Sequence, residues 1–395
     1  VSTVIVGIGK SAPPFKLTQD EAFQSAQKYC GGSERQKRAL RHLYGRSMIK
    51  TRAVVRDAHV SLFAVDEPSS ISSAASLNIG YDGSIQTFFQ PPRTLSDLGP
   101  TTGERMIRYE QEVASLANDA CVSAFDDVRS NATSGALVAL DPSDIGALVT
   151  VSCTGFYSPG FDIELMNRLN LNRGISRTHV GFMGCHGALN GLRIADALSK
   201  SSSGNGYVLL CAAEICSIHF HYGWNSDNLL ANSLFADGAG ALILAPSRGD
   251  GNWHLVNAAS YVMPDCIDAM SWKVQDDGFA MTLSSAVPEL IQSHLRDWLE
   301  NWLNSMGLKL SDIEAWAIHP GGVKILEAVK HALDLSESAV SHSMGVLQDL
   351  GNMSSPTVLF ILERIRASMG CVPAVVLAFG PGLTIEAAYL SPKGG

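Results

Sequence analysis

The sequence predicts an α/β protein made of two similar halves, each a mixed sheet covered by helices. Three observations predict it. Fully apolar segments of strand length alternate with amphipathic segments of helix length, which is the pattern of strands buried on both faces. The alternation occurs twice at matching spacing, once from about residue 140 and again from about residue 310. The chain also has 395 residues, more than one hydrophobic core of about 250–300 residues serves. We place the halves at residues 1–245 and 246–395.

Composition sets the class. Hydrophobic residues make up 46% and charged residues 17%, with mean hydropathy +0.11, so the chain is core-rich and not disordered. Asp plus Glu is 38 and Lys plus Arg 29, a net charge of −9. The resulting pI of 5.6 argues against nucleic acid as the main partner. No apolar run reaches the roughly 18 residues that cross a bilayer. The N-terminal Val1–Gly9 stretch reads as a first strand rather than a signal peptide. The eight cysteines are scattered and form no Cys-x-x-Cys pair, so free thiols and a cytoplasmic location are expected.

Along the chain, the Ser-, Pro- and Gly-rich stretch Glu67–Gly103 reads as an extended loop region, and apolar spacing over Thr102–Val128 reads as a helix. Asp144–Cys153 is a buried-strand pattern closed by Thr154-Gly155. Gly184-Cys185-His186-Gly187 then opens an amphipathic helix over Ala188–Leu198. Apolar strands follow at Tyr207–Ala213 and Gly240–Ala245. In the second half the same series is Asp312–His319, Gly351-Asn352 before the helix Thr357–Ile365, then strands Ala374–Phe379 and Leu383–Tyr389. Cys185 lies 32 residues after Cys153, and Asn352 lies 33 after His319. The next strand begins 22 residues after Cys185 and 22 after Asn352. A repeat of this size is a pseudo-dyad rather than a solenoid. If the halves face each other, Cys185, His319 and Asn352 converge.

Those three side chains carry a chemistry. A cysteine at a helix N-terminus is favoured as thiolate and, with a histidine near it, can form a thioester. His319 at a strand end supplies a proton partner, and Asn352 an amide donor for an oxyanion. Taken singly, each has a plainer reading: a small core thiol, a satisfied structural imidazole, a helix N-cap. Their equivalent places in the repeat favour the catalytic set. Gly7-x-Gly9-x-x-Ala12 is no dinucleotide turn, because Pro13-Pro14 stop the helix it needs. Cys216, His219 and His221 lack metal-ligand spacing and read as packing or cavity lining.

The motifs resemble the type III polyketide synthases, the chalcone synthase-like enzymes, from about Gly45 to the C-terminus. The resemblance is carried by Phe182-Met-Gly-Cys185, Ser233-Leu-Phe235-Ala-Asp-Gly, Ile318-His319-Pro-Gly-Gly, Gly351-Asn352-Met-Ser-Ser and Phe379-Gly380-Pro381-Gly382. Ala378 stands where the last loop usually has a glycine.

The resemblance implies a thiolase fold with αβαβα layers, a homodimer, and CoA thioester substrates without a cofactor or metal. It implies that Cys185 takes a starter acyl group and that His319 and Asn352 hold malonyl-CoA during decarboxylative condensation. The lengthened chain is then reloaded and cyclised. Phe235 would be a gatekeeper, and Gly380, Pro381 and Gly382 a cyclisation loop. Arg46 matches one CoA-binding position, while the other two fall on Ala39 and His42. Arg38 and Arg41 are candidate substitutes in the basic segment from Arg35 to Arg52, with Gly321, Gly322 and Lys324 as further CoA candidates.

Candidate cavity residues are Cys153, Thr154, Ser158, Cys216, His219, Ala231, Trp272, Met281 and Ser354. Ser158 replaces a methionine that reaches the partner subunit, and Cys153 resembles bacterial members. These departures speak against a chalcone product and for an aliphatic starter giving an alkylpyrone or alkylresorcinol. The competing readings are a single-round β-ketoacyl synthase of the same fold and a catalytically silent partner subunit, which the intact triad disfavours.

Overall fold

The computed structural model describes residues 2–55, 88–94, 96–131, 140–201, 206–247 and 252–393. Most of the Glu67–Gly103 stretch lies outside the described residues. The chain begins with β1 (Thr3–Ser11), β2 (Lys16–Thr18), α1 (Gln19–Cys30), α2 (Glu34–Arg46) and β3 (Thr51–Ala53). The long α3 (Thr102–Asn131) precedes β4 (Ala147–Ser152), α4 (Phe161–Arg168), β5 (Ser176–Gly181), α5 (Gly187–Ser201), β6 (Val208–Ile215), α6 (Ser226–Leu234) and β7 (Asp237–Pro246). Then come β8 (Trp253–Val262), β9 (Met270–Gln275), β10 (Gly278–Leu283), α7 (Val287–Asn304) and β11 (Ala315–Ile318). The chain closes with α8 (Val323–Leu333), α9 (Glu337–Leu350), α10 (Thr357–Met369), β12 (Ala374–Gly380) and β13 (Thr384–Ser391).

Nine strands form one sheet in the order β11-β12-β13-β8-β1-β7-β6-β4-β5. On one side of the β8/β1 seam, β1–β7 and β7–β6 are antiparallel and β6–β4 parallel. On the other side, β8–β13 and β13–β12 are antiparallel and β12–β11 parallel. The strand pattern therefore repeats about the seam, with β5 having no counterpart among the described strands.

Period-two alternation sorts the side chains into layers. Leu209, Cys211, Ala213 and Ile215 of β6 pack toward α3, while Val208, Leu210 and Ala212 pack toward α5 and α10. In β12, Val375, Leu377 and Phe379 join α7 and α8, and Ala374, Val376 and Ala378 join α5 and α10. Helices α5 and α10 are thus covered from both halves, giving helix, sheet, helix, sheet, helix. Each fully buried Leu or Val in these layers contributes about 1.5–3 kcal/mol.

The glycines of β1 have a packing cause. A Cβ on Gly7 would lie 2.6 Å from the Ala124 carbonyl oxygen, and one on Gly9 would run into Ala120 and Ala124. The Gly-x-Gly pattern lets α3 rest directly on the strand, with no phosphate involved. Side-chain caps set several helix starts: Thr18 with Glu21 on α1, Ser33 with Gln36 on α2, and Asn225 on α6.

Candidate active site

The nucleophile candidate is presented by a sharp reversal after β5. Phe182 (φ 59°) and Gly184 (φ 77°) are both left-handed. A side chain on Gly184 would meet Pro381 Cδ at 2.5 Å, so only glycine fits there. One tight turn, Gly184–His186, holds Cys185, and α5 begins at Gly187. Cys185 is half-buried. Ser354 Oγ donates to Cys185 Sγ at 3.5 Å, and the Asn352 amide lies close enough to the sulfur to favour its thiolate. Burial pushes the Cys185 thiol up to about 11, while the Ser354 and Asn352 contacts oppose it. The thiolate expected at a helix N-terminus is outweighed by desolvation.

Asn352 does not cap a helix. It lies five residues ahead of α10, whose cap position is Pro356. Its N–H donates to the Leu234 carbonyl at 3.0 Å and its carbonyl accepts from Ala236 at 2.8 Å, a short parallel bridge alongside Phe235. Its Oδ1 accepts from the Ser354 N–H at 2.8 Å. That bond fixes the amide so that its NH₂ remains for another partner.

His319 follows β11 and extends its pairing, since its N–H donates to Leu377 at 2.8 Å. The ring is 1% exposed, and neither Nδ1 nor Nε2 has a hydrogen-bond partner. Burial, with His186 nearby, pushes its pKa down to about 3, so the ring is neutral across the physiological range. Leaving a buried polar group unpaired costs about 1–3 kcal/mol. His219, by contrast, is used at both nitrogens: Nδ1 accepts from Phe279 N–H at 3.0 Å and Nε2 bonds the Thr154 carbonyl at 2.7 Å. It is a wall residue, and no group of ligating side chains suited to a metal occurs among the described residues.

Glu214, fully buried on β6, escaped the sequence reading. Its carboxylate accepts from Ser152 Oγ (3.1 Å), Cys153 N–H (2.9 Å), Thr154 N–H (3.0 Å), Thr154 Oγ (2.7 Å) and Ser355 Oγ (2.6 Å). Burial raises its pKa and these donors lower it. A lone carboxylate inside the apolar run Val208–Ile215 was the signal that could have found it.

Two cavities meet at this site. The first is lined by Cys185, Cys153, Thr154, Ser354, Met281 and Pro381 among others. The second extends past Ala231 and His219 to Leu17, Ala22 and Ser25. Cys216, Phe235 and Trp272 border both. Trp272 pairs across the hairpin with Met281, and its Nε1–H donates to the Cys153 carbonyl at 2.7 Å. Its ring meets those of His219, Phe279 and Phe235 at 5.7, 6.0 and 6.1 Å.

The remaining candidates divide. Ser158, exposed and followed by a cis bond to Pro159, lines neither cavity. Gly380 and Gly382 flank Pro381 outside the lining, and the Gly382 N–H donates to the Met270 carbonyl at 2.9 Å. Arg38 and Arg46 are exposed on α2, and Arg41 lies over the Phe23 ring at 5.4 Å. Ile49 packs with Leu234 and Val323, which brings the end of α2 beside the Gly321-Gly322 turn and exposed Lys324. Arg52 is not part of that surface. It is buried, and its guanidinium donates to the carbonyls of Asn232 (2.6 Å) and Phe235 (3.1 Å).

The layered pseudo-symmetric sheet is the thiolase fold, and it brings the cysteine turn beside Ser354 and Asn352. Residues 92–247 match the N-terminal domain of chalcone and stilbene synthases and residues 254–392 their C-terminal domain. The chain belongs to the chalcone and stilbene synthase family, the type III polyketide synthases.

Among relatives, 3,5-dihydroxyphenylacetyl-CoA synthase of Amycolatopsis orientalis is 35% identical over 63% of this chain and 68% of that protein. Alpha-pyrone synthesis polyketide synthase-like Pks18 of Mycobacterium tuberculosis is 28% identical over 97% and 89%. The crystal structure of PKS-I from the brown alga Ectocarpus siliculosus superposes with a TM-score of 0.83 at 29% identity, over 99% of this chain and 98% of that one. The chain spans only 9% and 11% of the length of two polyketide synthases of Dictyostelium discoideum that it also matches.

Proposed function

We propose that the protein is an iterative, malonyl-CoA-consuming polyketide synthase acting on an aliphatic acyl-CoA. The observation that carries the reading is Cys185 hydrogen-bonded by Ser354, with the Asn352 amide near enough to lower its pKa, at the wall of an apolar pocket. Cys185 sulfur attacks the starter thioester carbonyl. Neutral His319 takes the thiol proton and returns it to the departing CoA sulfur. Malonyl-CoA then loses CO2, and the electron pair of the broken bond becomes an enolate. The His319 N–H and the Asn352 NH₂ donate to its oxygen. The enolate carbon attacks the Cys185 thioester, and the Cys185 thiolate leaves. Each such donor is worth about 2.7–4 kcal/mol where charge develops. The reaction needs no group beyond the CoA thioesters and these side chains.

The second cavity supports an alkyl starter, since it extends the site with mainly apolar walls. A pyrone or resorcinol product accords with a relative named for alpha-pyrone synthesis. The exposed Arg38, Arg41, Arg46 and Lys324 would meet CoA phosphates. The reading also includes a homodimer in the cytoplasm. No helix among the described residues is long and apolar enough to cross a membrane.

The test is mass spectrometry of products from malonyl-CoA with a panel of acyl-CoA starters. Cyclised products of two or more extensions are expected, and none from Cys185→Ala. A single β-ketoacyl product from every starter would replace this reading with a one-round condensing enzyme.

A further inference from the structure

The residue directly after the nucleophile, His186, is 3% exposed and takes no part in the chemistry above. Its ring belongs to a directed chain of hydrogen bonds across the seam between the halves. Glu386, an acceptor on β13, receives bonds from Arg193 (2.9 Å), Ser260 (2.6 Å) and Asn190 Nδ2 (3.0 Å). Asn190 must therefore present its NH₂ to Glu386 and its Oδ1 to His186 Nδ1, at 2.7 Å. That places the proton on Nδ1. His186 Nε2 is then an acceptor, and Thr384 Oγ–H donates to it at 2.6 Å. Thr384 Oγ also lies 3.3 Å from the Pro381 carbonyl.

The chain ends at Thr384, the first residue of β13, two residues beyond the loop Gly380-Pro381-Gly382. A side chain on Gly380 would collide with the His186 ring, so imidazole and loop backbone are in direct contact. Pro381 packs on Gly184 and lines the cavity that holds Cys185. The loop is thereby held to the nucleophile turn by two close contacts, while the oriented hydrogen bond from Thr384 to His186 pins the start of β13 just beyond it.

We infer that His186 is a positioning residue that, by its ring contact with Gly380 and its bond to Thr384 at the start of β13, holds the Pro381 wall against the Cys185 turn and so sets how far a chain grows before release. The inference rests on the polyketide reading for its product readout and on the hydrogen-bond chain for its structure. An unfastened wall lets the cavity shape vary, and growing chains leave at the wrong length. Glu386, Asn190 and Arg193 act only by fixing the tautomer of His186.

The test compares His186→Phe, Thr384→Val, the double variant and Thr384→Ser in the full chain. Phenylalanine keeps a flat ring without nitrogens, valine keeps the shape without the hydroxyl, and serine keeps the hydroxyl. With octanoyl-CoA and labelled malonyl-CoA, the fraction of chains released early is expected to rise about fivefold in each of the first two, the worth of one lost hydrogen bond. The double variant is expected to match the singles, and Thr384→Ser to stay within about twofold of wild type.

Amide exchange over residues 380–383, measured in the same proteins, is expected to quicken in His186→Phe and Thr384→Val. Unchanged products with unchanged exchange in folded variants overturn the inference, as do effects that multiply in the double variant. Wild-type protein that makes no polyketide overturns the proposed function instead. The exchange measurement then decides the positioning role alone.

Discussion

Trp272→Ala tests the division of the site into two chambers. The indole borders both the pocket that holds Cys185 and the one that runs to Leu17 and Ala22. It is held by one hydrogen bond to the Cys153 carbonyl and by edge contacts to His219, Phe279 and Phe235. Its removal joins the chambers along the line from Cys185 toward Leu17 and Ala22. Each starter methylene newly buried there is worth about 0.8 kcal/mol, or about fourfold in kcat/KM. Two methylenes give about 15-fold.

The cost in stability is at most about 3 kcal/mol, the low end for a fully buried aromatic cut to alanine, because Trp272 is only half-buried. The assay is kcat/KM for hexanoyl-, decanoyl- and hexadecanoyl-CoA with saturating malonyl-CoA, with circular dichroism confirming the fold. The ratio of long to short starters should rise at least tenfold over wild type. A ratio unchanged in a folded variant would show that the indole is no partition.

Three further outcomes follow from the site. With burial setting the Cys185 thiol near 11, the thiolate fraction and the rate of iodoacetamide inactivation should climb about tenfold per pH unit from pH 6 to 9. A plateau near neutrality would mean that the helix terminus or His319 stabilises the thiolate after all. His319→Gln should slow release of labelled CO2 from malonyl-CoA by about 10²–10³, the worth of one donor at a developing oxyanion; a loss under threefold contradicts its role. Glu214→Ala orphans several buried donors and should cost at least about 3 kcal/mol in urea unfolding. Glu214→Gln, whose NH₂ can turn to the Ser355 hydroxyl, should cost about half as much or less, and equal costs would show that the donors do not matter.

The layers were legible because both faces of β6 and β12 are buried, which leaves apolar runs that cannot be mistaken for surface strands. The equal spacing of Cys185 and Asn352 was legible for the same reason: the strands and helices around them repeat. What spacing does not encode is long-range pairing. Asn352 resembled a helix cap in sequence, yet its backbone is claimed by Leu234 and Ala236, more than a hundred residues earlier. The second cavity likewise depends on Leu17, Ala22 and Ser25 meeting Ala231 and Trp272. The basic run from Arg35 to Arg52 read as one surface, but Arg52 turns inward, because two carbonyls at the end of α6 need a donor. The thiol illustrates competition between rules: a helix start lowers its pKa, burial raises it, and local sequence holds only the first.

Glu214 explains why the parts of this site keep a fixed relation. One buried carboxylate gathers the turn after β4, through Ser152, Cys153 and Thr154, and the turn before α10, through Ser355. The first turn carries a wall of the Cys185 cavity. The second carries Ser354, which bonds both Cys153 at 3.2 Å and Cys185 at 3.5 Å. The two halves therefore meet at a charge that neither can solvate alone. Without Ser355 the carboxylate would lose its one hydrogen-bond partner from the second half among the described residues. Without Glu214 the buried N–H groups of Cys153 and Thr154 would have no acceptor. A buried charge is an expensive way to join two turns compared with apolar packing. Its advantage is direction, since hydrogen bonds fix angles that methyl groups do not, and the proposed condensation depends on Asn352 and Cys185 keeping theirs.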